Sequence, residues 1–357
     1  MKTLVTGATG FLGRRLVAEL APRHELRVLV RARPGVPDFP PGVEVVSGDV
    51  TDAASVRRAV SGCEAVVHAA ALVKILAPAA EFDRVNVGGL ENVLAAAAAA
   101  GVAKVVYVST FMALGPSEGG PGGVLDESAA DGGGAAAGEG GGAGATAAAA
   151  AGGGEGPGRA WINSYERTKT LGDRLVRRAI AAGQPVAVVY PGVIYGPGEM
   201  TEGNLVVRHL LDLLHRRLPA LLGKPGRRWC YVFVDDVARG VGLVLERARP
   251  GARYVLGGEN VTLGDFYGLV ETLSGVPVPR RRLPDGVAKA LGAVQKGWAR
   301  LRGTTPALTP DLVEVYRHDW AYSSARAAAE LGYTSRTLRE GLAATLDWLR
   351  ETGQWRR

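Results

Sequence analysis

Cysteine is scarce: only Cys63 and Cys230 occur in 357 residues. Two cysteines make no disulfide framework, and without a CxxC pair no metal is expected. That usage suits a reducing, cytoplasmic setting. Long apolar runs are missing too; none reaches the roughly 18 residues that a spanning helix needs. A strand pattern already begins at Lys2, so no leader peptide is expected. Aromatics amount to 6% and do not interleave with basic residues as a base-stacking surface would, so nucleic acid is not an expected partner. No internal repeat is visible.

Hydrophobic residues make up 47% of the chain and charged residues 22%, enough apolar material for a sizeable core. The length suits one large α/β domain with an appended lobe, or two modest domains. The net charge of +7 is unevenly spread: residues 1–207 hold 18 basic and 20 acidic side chains, residues 208–357 hold 24 and 15. A basic C-terminal part suits an acidic ligand or a membrane surface; a solvated arginine-rich surface is the plainer reading.

Val-rich segments at Lys2–Val5, Leu26–Val30, Val43–Ser47, Ala65–His68, Lys104–Ser109 and Val186–Tyr190 read as strands. Helical patterns lie between them at Leu12–Ala21, Ala53–Ser61, Glu81–Ala100 and Asn163–Ala182. This alternation predicts an α/β, Rossmann-type, doubly wound parallel sheet over residues 1–190. A smaller, mostly helical substrate lobe is expected over 191–357, with some segments returning to the sheet. Its helical patterns are Asn204–Leu214, Val234–Arg247, Thr262–Leu273, Ala325–Leu331 and Leu338–Arg350, with a strand near Gly251–Leu256. Within a loop over 119–160, the 28 residues 129–156 include 12 Gly and 12 Ala, and such a tract predicts a disordered surface insertion. Val287, Leu291, Val294, Trp298 and Leu301 share one helical stripe. We read it as the buried face of a lid helix, with peripheral membrane contact as the alternative.

Five constellations carry chemistry. Thr6-Gly7-Ala8-Thr9-Gly10-Phe11-Leu12-Gly13 follows a strand and opens a helix, the arrangement that seats a dinucleotide pyrophosphate on free helix N–H groups. The second strand ends in Arg31-Ala32-Arg33 with no carboxylate for a ribose 2′-hydroxyl. Arg31, Arg33 or Arg14 could instead meet a 2′-phosphate, which points to NADP and leaves NAD open. After the third strand, Asp49 can accept from the adenine amino group and Val50 can cover the ring, while Asp52 suits a helix cap. Ala69 and Ala70 follow His68, a core histidine, and let the cofactor lie against backbone. Tyr165 and Lys169 share a helix face at i,i+4, where an ammonium beside a phenol favours the phenolate for acid–base work. Ser109 or Thr110, at the end of the fifth strand, can place a hydroxyl against a substrate oxygen.

These motifs, with Val85–Asn92, Pro191–Gly198, Val234–Ala238 and Tyr254–Asn260, resemble the extended short-chain dehydrogenase/reductase superfamily over the whole chain except 119–160. Within it the chain is most similar to plant farnesol dehydrogenases, dihydroflavonol-reductase-like and hopanoid-associated epimerase-like proteins. The resemblance implies Tyr165 as acid/base, Lys169 as its pKa partner and ribose anchor, and Thr110 in place of the usual serine. It implies that Asn86 holds the site from the preceding helix and that Pro191 and Val193 border the nicotinamide. It also implies hydride transfer between an alcohol and NAD(P), and a homodimer through the helices bearing Tyr165 and residues 81–100.

Phe111, Met112, Leu114, Trp161 and Tyr195 suit an apolar pocket for an isoprenoid, flavonoid or steroid-like alcohol or carbonyl. A nucleotide-sugar epimerase would use the same Tyr165–Lys169 pair and hold a diphosphate with Arg227 and Arg228. A sugar dehydratase of the superfamily has Asp-Glu where Phe111-Met112 stand here. A dinucleotide sensor would not need the Tyr–Lys pair.

Overall fold

The computed structural model describes residues 1–32, 38–118, 121–131, 161–201 and 203–356. Arg33 and the Gly/Ala-rich tract from residue 132 onward therefore lie outside the described residues.

The chain begins with β1 (Lys2–Thr6), α1 (Phe11–Leu20), β2 (Glu25–Val30), β3 (Glu44–Ser47), α2 (Ala53–Val60) and β4 (Ala65–His68). Then come α3 (Ala79–Phe82), a π-helical turn (Asp83–Gly88), α4 (Gly89–Ala99), β5 (Lys104–Val108), α5 (Ser164–Ala181) and β6 (Val186–Pro191). The remainder supplies β7 (Val193–Tyr195), α6 (Leu205–Leu214), β8 (Arg228–Phe233), α7 (Val234–Arg247), β9 (Arg253–Leu256) and β10 (Glu259–Thr262). It ends with α8 (Leu263–Ser274), α9 (Asp285–Arg302), α10 (Pro310–Tyr316), α11 (Ala325–Leu331) and α12 (Leu338–Glu351).

The main sheet has the order β3-β2-β1-β4-β5-β6-β9, with every neighbouring pair parallel. Central strands β4 and β6 are buried along their whole length because helices cover both faces, which explains their unbroken apolar runs. One core lies between the sheet and α2, α4 and α5, the other between the sheet and α1, α7 and α11. After β3 the chain crosses to the other side of β1 to form β4, so a crevice opens at the carboxyl ends of β1 and β4. Asp52 caps α2, accepting from the N–H groups of Ala54 and Ser55.

The later residues contain more sheet than the sequence patterns suggest. A second sheet, β10-β8-β7, stands beside the first. The lid-helix reading of α9 is corrected. Val287, Leu291, Val294, Trp298 and Leu301 are exposed, whereas the small residues Ala288, Gly292 and Ala299 face inward. A Cβ on Gly292 would come within 2.9 Å of the Thr309 backbone. Close approach to the start of α10 therefore decides which side of the helix is buried.

Candidate active site

The glycine turn after β1 is shaped for a pyrophosphate. Gly7 sits at φ +75°, and a Cβ there would lie 2.6 Å from the Ala70 nitrogen. A Cβ on Gly13 would approach the Gly7 carbonyl oxygen to 1.9 Å, so only glycine lets α1 seat against the turn. Gly10 caps α1 without a side-chain hydrogen bond, and the first turn, which includes Phe11 and Leu12, holds no acidic residue. That end of the helix offers donor groups and a positive dipole to an anion. Ala69 and Ala70 form the opposite wall, with the Ala70 N–H donating to Thr6 Oγ1 at 3.4 Å. These residues fit a dinucleotide.

Further along the crevice, Asp49 accepts from the N–H and hydroxyl of Thr51 at 2.8 and 2.9 Å through one oxygen. Val50 is buried against Gly89 of α4. Arg14 pairs with Glu199. Arg31 is exposed and has no acidic partner among the described residues. His68 shares a 2.8 Å hydrogen bond with the Thr6 hydroxyl and is fully buried. Burial, and then the Lys169 ammonium, lower its pKa to about 3, so it is a neutral core histidine.

Tyr165 and Lys169 lie in the first turns of α5, whose N-cap Asn163 accepts from the Glu166 N–H at 2.8 Å. The Thr110 hydroxyl stands on the Tyr165 side of the site and favours the phenolate. Thr110 is buried where β5 runs into a short 3-10 turn, and its Oγ1 accepts from the Met112 N–H at 3.4 Å. Lys169 is buried and donates to the Val108 carbonyl at 2.8 Å, with its Nζ 5.0 Å from the Tyr107 ring centre. Burial lowers its pKa to about 8, against the opposing pull of Asp173.

The protein alone does not produce the low-pKa phenol expected from the spacing. Burial pushes Tyr165 up to about 12, the Thr110 hydroxyl opposing it only partly. The i,i+4 spacing puts Lys169 on the right face, but its ammonium is held by the strand carbonyl. At neutral pH Tyr165 is thus a protonated donor.

Ser109 and Thr110 separate in role. Ser109 donates to Asp173 Oδ1 at 2.7 Å and Tyr190 donates to Oδ2 at 2.7 Å, which leaves Thr110 as the hydroxyl beside Tyr165. Asp173, four residues after Lys169, is a buried carboxylate that sequence reading passed over; its i,i+4 spacing to Lys169 was the available signal. Asn86 sits in the π-helical turn. Its Oδ1 accepts from the Leu72 N–H at 2.6 Å and its Nδ2 donates to Thr168 Oγ1 at 3.0 Å. It ties the loop after β4 to α5.

Phe111, next to Thr110, packs edge-on against Trp320 at 5.3 Å and tilts against Tyr322 at 5.9 Å. Met112 and Leu114 are buried in the core, and Trp161 is exposed. Tyr195 is buried among Tyr231 and Phe233 and donates to the Leu338 carbonyl, so it belongs to the packed core. Pro191 closes β6 opposite Leu256, and Val193 opens β7 opposite Tyr231. Arg227 reaches Glu118 at 3.3 Å and Asp319 at 3.5 Å, and Arg228 donates to the carbonyls of Gly122 and Gly123.

A family model described as NAD(P)H-binding matches residues 7–132, and one for the NAD dependent epimerase/dehydratase family matches residues 149–257. The chain is 30% identical to sterol demethylase protein B of Methylococcus capsulatus, over 99% of both chains. It is 29% identical to a 3 beta-hydroxysteroid dehydrogenase/Delta 5→4-isomerase of Mycobacterium tuberculosis, over 93% of this chain and 85% of that one. Among solved structures it is similar to the dTDP-glucose 4,6-dehydratase DesIV of Streptomyces venezuelae, solved with NAD bound. The TM-score is 0.73 at 25% identity, over 99% of each chain. With its glycine cradle, its Tyr165–Lys169 helix and this likeness over its full length, the chain belongs to the NAD(P)-binding, extended short-chain dehydrogenase/reductase family.

Proposed function

We propose that the protein is an NAD(P)-dependent alcohol dehydrogenase or carbonyl reductase acting on an apolar substrate: an isoprenoid such as farnesol, or a flavonoid or steroid-like alcohol. The observation that carries this reading is the buried Thr110 hydroxyl, which acts on Tyr165 and is followed directly by Phe111, itself walled by Trp320 and Tyr322. Thr110 orients the substrate oxygen, and Tyr165, protonated at neutral pH, gives it a proton in reduction. For oxidation the phenol must first lose its proton, which the positive charge of an oxidised nicotinamide would favour. The nicotinamide, when bound, supplies or accepts the hydride. Lys169 holds the cofactor ribose, while Asn86 fixes the wall facing it. The relatives named for a sterol and a hydroxysteroid support a lipophilic substrate.

The epimerase reading is less well supported, because both arginines suited to a sugar-nucleotide diphosphate are engaged by Glu118, Asp319 and the Gly122–Gly123 carbonyls. Within our reading, exposed Arg31 favours NADP, and two free, buried cysteines suit the cytoplasm. A homodimer through α4 and α5 belongs to the same reading; a monomer by light scattering would remove it.

The test is reduced-nicotinamide absorbance at about 340 nm. Farnesol and a panel of apolar alcohols are offered with NAD and with NADP, to wild type and Tyr165→Phe. We expect turnover by the wild type and a loss of about 10²-fold or more in Tyr165→Phe with cofactor binding retained. Turnover of UDP-sugars alone would replace this reading with the epimerase.

A further inference from the structure

The stripe on α9 holds five of the ten large hydrophobic side chains exposed among the described residues, and the candidate site does not use it. Val287, Leu291, Val294, Trp298 and Leu301 recur at spacings of four and three, so they form one line along the outside of an 18-residue helix. Val294 is 70% exposed, Trp298 56% and Leu301 83%. An apolar line of this length facing water points to something that covers it.

The surrounding charge identifies the cover. Residues 280–302 contain seven basic side chains and one acidic one, Asp285. Lys289 and Lys296 turn inward to Glu314 and Asp311 at 2.6 and 3.0 Å, tying α9 to α10. At the far end, Arg300 and Arg302 have no acidic partner among the described residues, and the Arg302 guanidinium lies 4.2 Å from the centre of the Trp298 ring. A tryptophan among aliphatic side chains, with an arginine laid against its ring, matches the boundary between acyl chains and anionic headgroups. A second copy docking through the same face would oppose like charges across the two-fold axis.

We propose that α9 is an interfacial helix that docks the protein reversibly on an anionic bilayer, with Trp298 and Leu301 inserted and Arg302 at the headgroups. No helix among the described residues is long and apolar enough to cross a membrane, so attachment at this site is peripheral. The inference rests on the surface alone and is independent of the apolar-substrate reading.

Co-sedimentation tests it without turnover. Full-length protein is mixed with vesicles of phosphatidylcholine, or of phosphatidylcholine and phosphatidylglycerol at about 3:1. Wild type is expected to pellet with the anionic vesicles, less so in high salt. Trp298→Asp and Arg302→Glu should each bind about tenfold more weakly or worse while melting at the wild-type temperature. Failure of the wild type to pellet, or equal pelleting of Trp298→Asp, overturns the proposal. So does self-association in sedimentation velocity that Trp298→Asp abolishes without any vesicle binding; the face would then be covered by another copy.

Discussion

Ser109 gives its hydroxyl proton to Asp173 at 2.7 Å, a contact buried between the end of β5 and the middle of α5. The same carboxylate receives Tyr190 from β6. It thus pins two strand ends to the helix that carries Tyr165 and Lys169, and it turns the hydroxyl of Ser109 away from the substrate side. It also acts on Lys169 by charge, opposing the burial that lowers the ammonium's pKa to about 8.

The sign of this coupling gives a pH prediction. Lys169 is charged below about pH 8 and loses its proton as pH rises through that value. Asp173→Asn removes the group that keeps the pKa up, so the ammonium disappears at lower pH. The alkaline limb of kcat/KM should move toward acid, and the cofactor KM should rise at pH 8 more than at pH 6. An alkaline limb that stays in place would make Asp173 a packing residue only.

Gly13→Ala should fail at the cradle. The added Cβ meets the Gly7 carbonyl oxygen at 1.9 Å, and relieving that clash pushes α1 off the sheet. We expect a destabilisation of about 1–3 kcal/mol in thermal melting and cofactor affinity reduced by about tenfold or more. Quenching of tryptophan fluorescence by added cofactor reads the affinity; wild-type affinity in the variant would show that the pyrophosphate lies elsewhere.

Cofactor preference is expected to turn on Arg31. Losing a charge-assisted contact to a 2′-phosphate costs about 1.5–3 kcal/mol. Arg31→Ala should therefore raise the KM for NADP by about tenfold or more and leave NAD almost unchanged. A wild type that already favours NAD, or a variant with both constants unaltered, would assign the 2′ end of the site to other residues.

Much of the sheet was legible because its strands are short valine runs bounded by glycine, aspartate or a helix start. Ala65–His68, Val234–Arg247 and Ala325–Leu331 appear in the structure with the expected limits. Arg228–Phe233 was not legible as a strand: Trp229 to Phe233 are all buried, so no alternation marks them. Their partners, Val193–Tyr195 and Glu259–Thr262, lie far off in sequence. The α9 stripe was visible, but its direction was not, since Gly292 against Thr309 sets it from outside the helix. The Tyr165–Lys169 pair was readable from spacing; the buried surroundings that raise the phenol's pKa come from the tertiary fold.

The return of the chain to its first sheet has a consequence for synthesis. The strand β9 completes the edge beside β6, with Val188 opposite Arg253 and Pro191 opposite Leu256. Leu16, Val17 and Leu20 of α1 share a core with Val237, Val241 and Val244 of α7. The nucleotide half therefore cannot finish folding when residue 190 leaves the ribosome: its edge strand would stand unpaired and one face of α1 would be bare. Truncation at 190 should give an aggregating fragment, whereas one reaching past residue 256 gains both the strand and the helix; a soluble, cooperatively melting fragment 1–190 would refute this order of assembly.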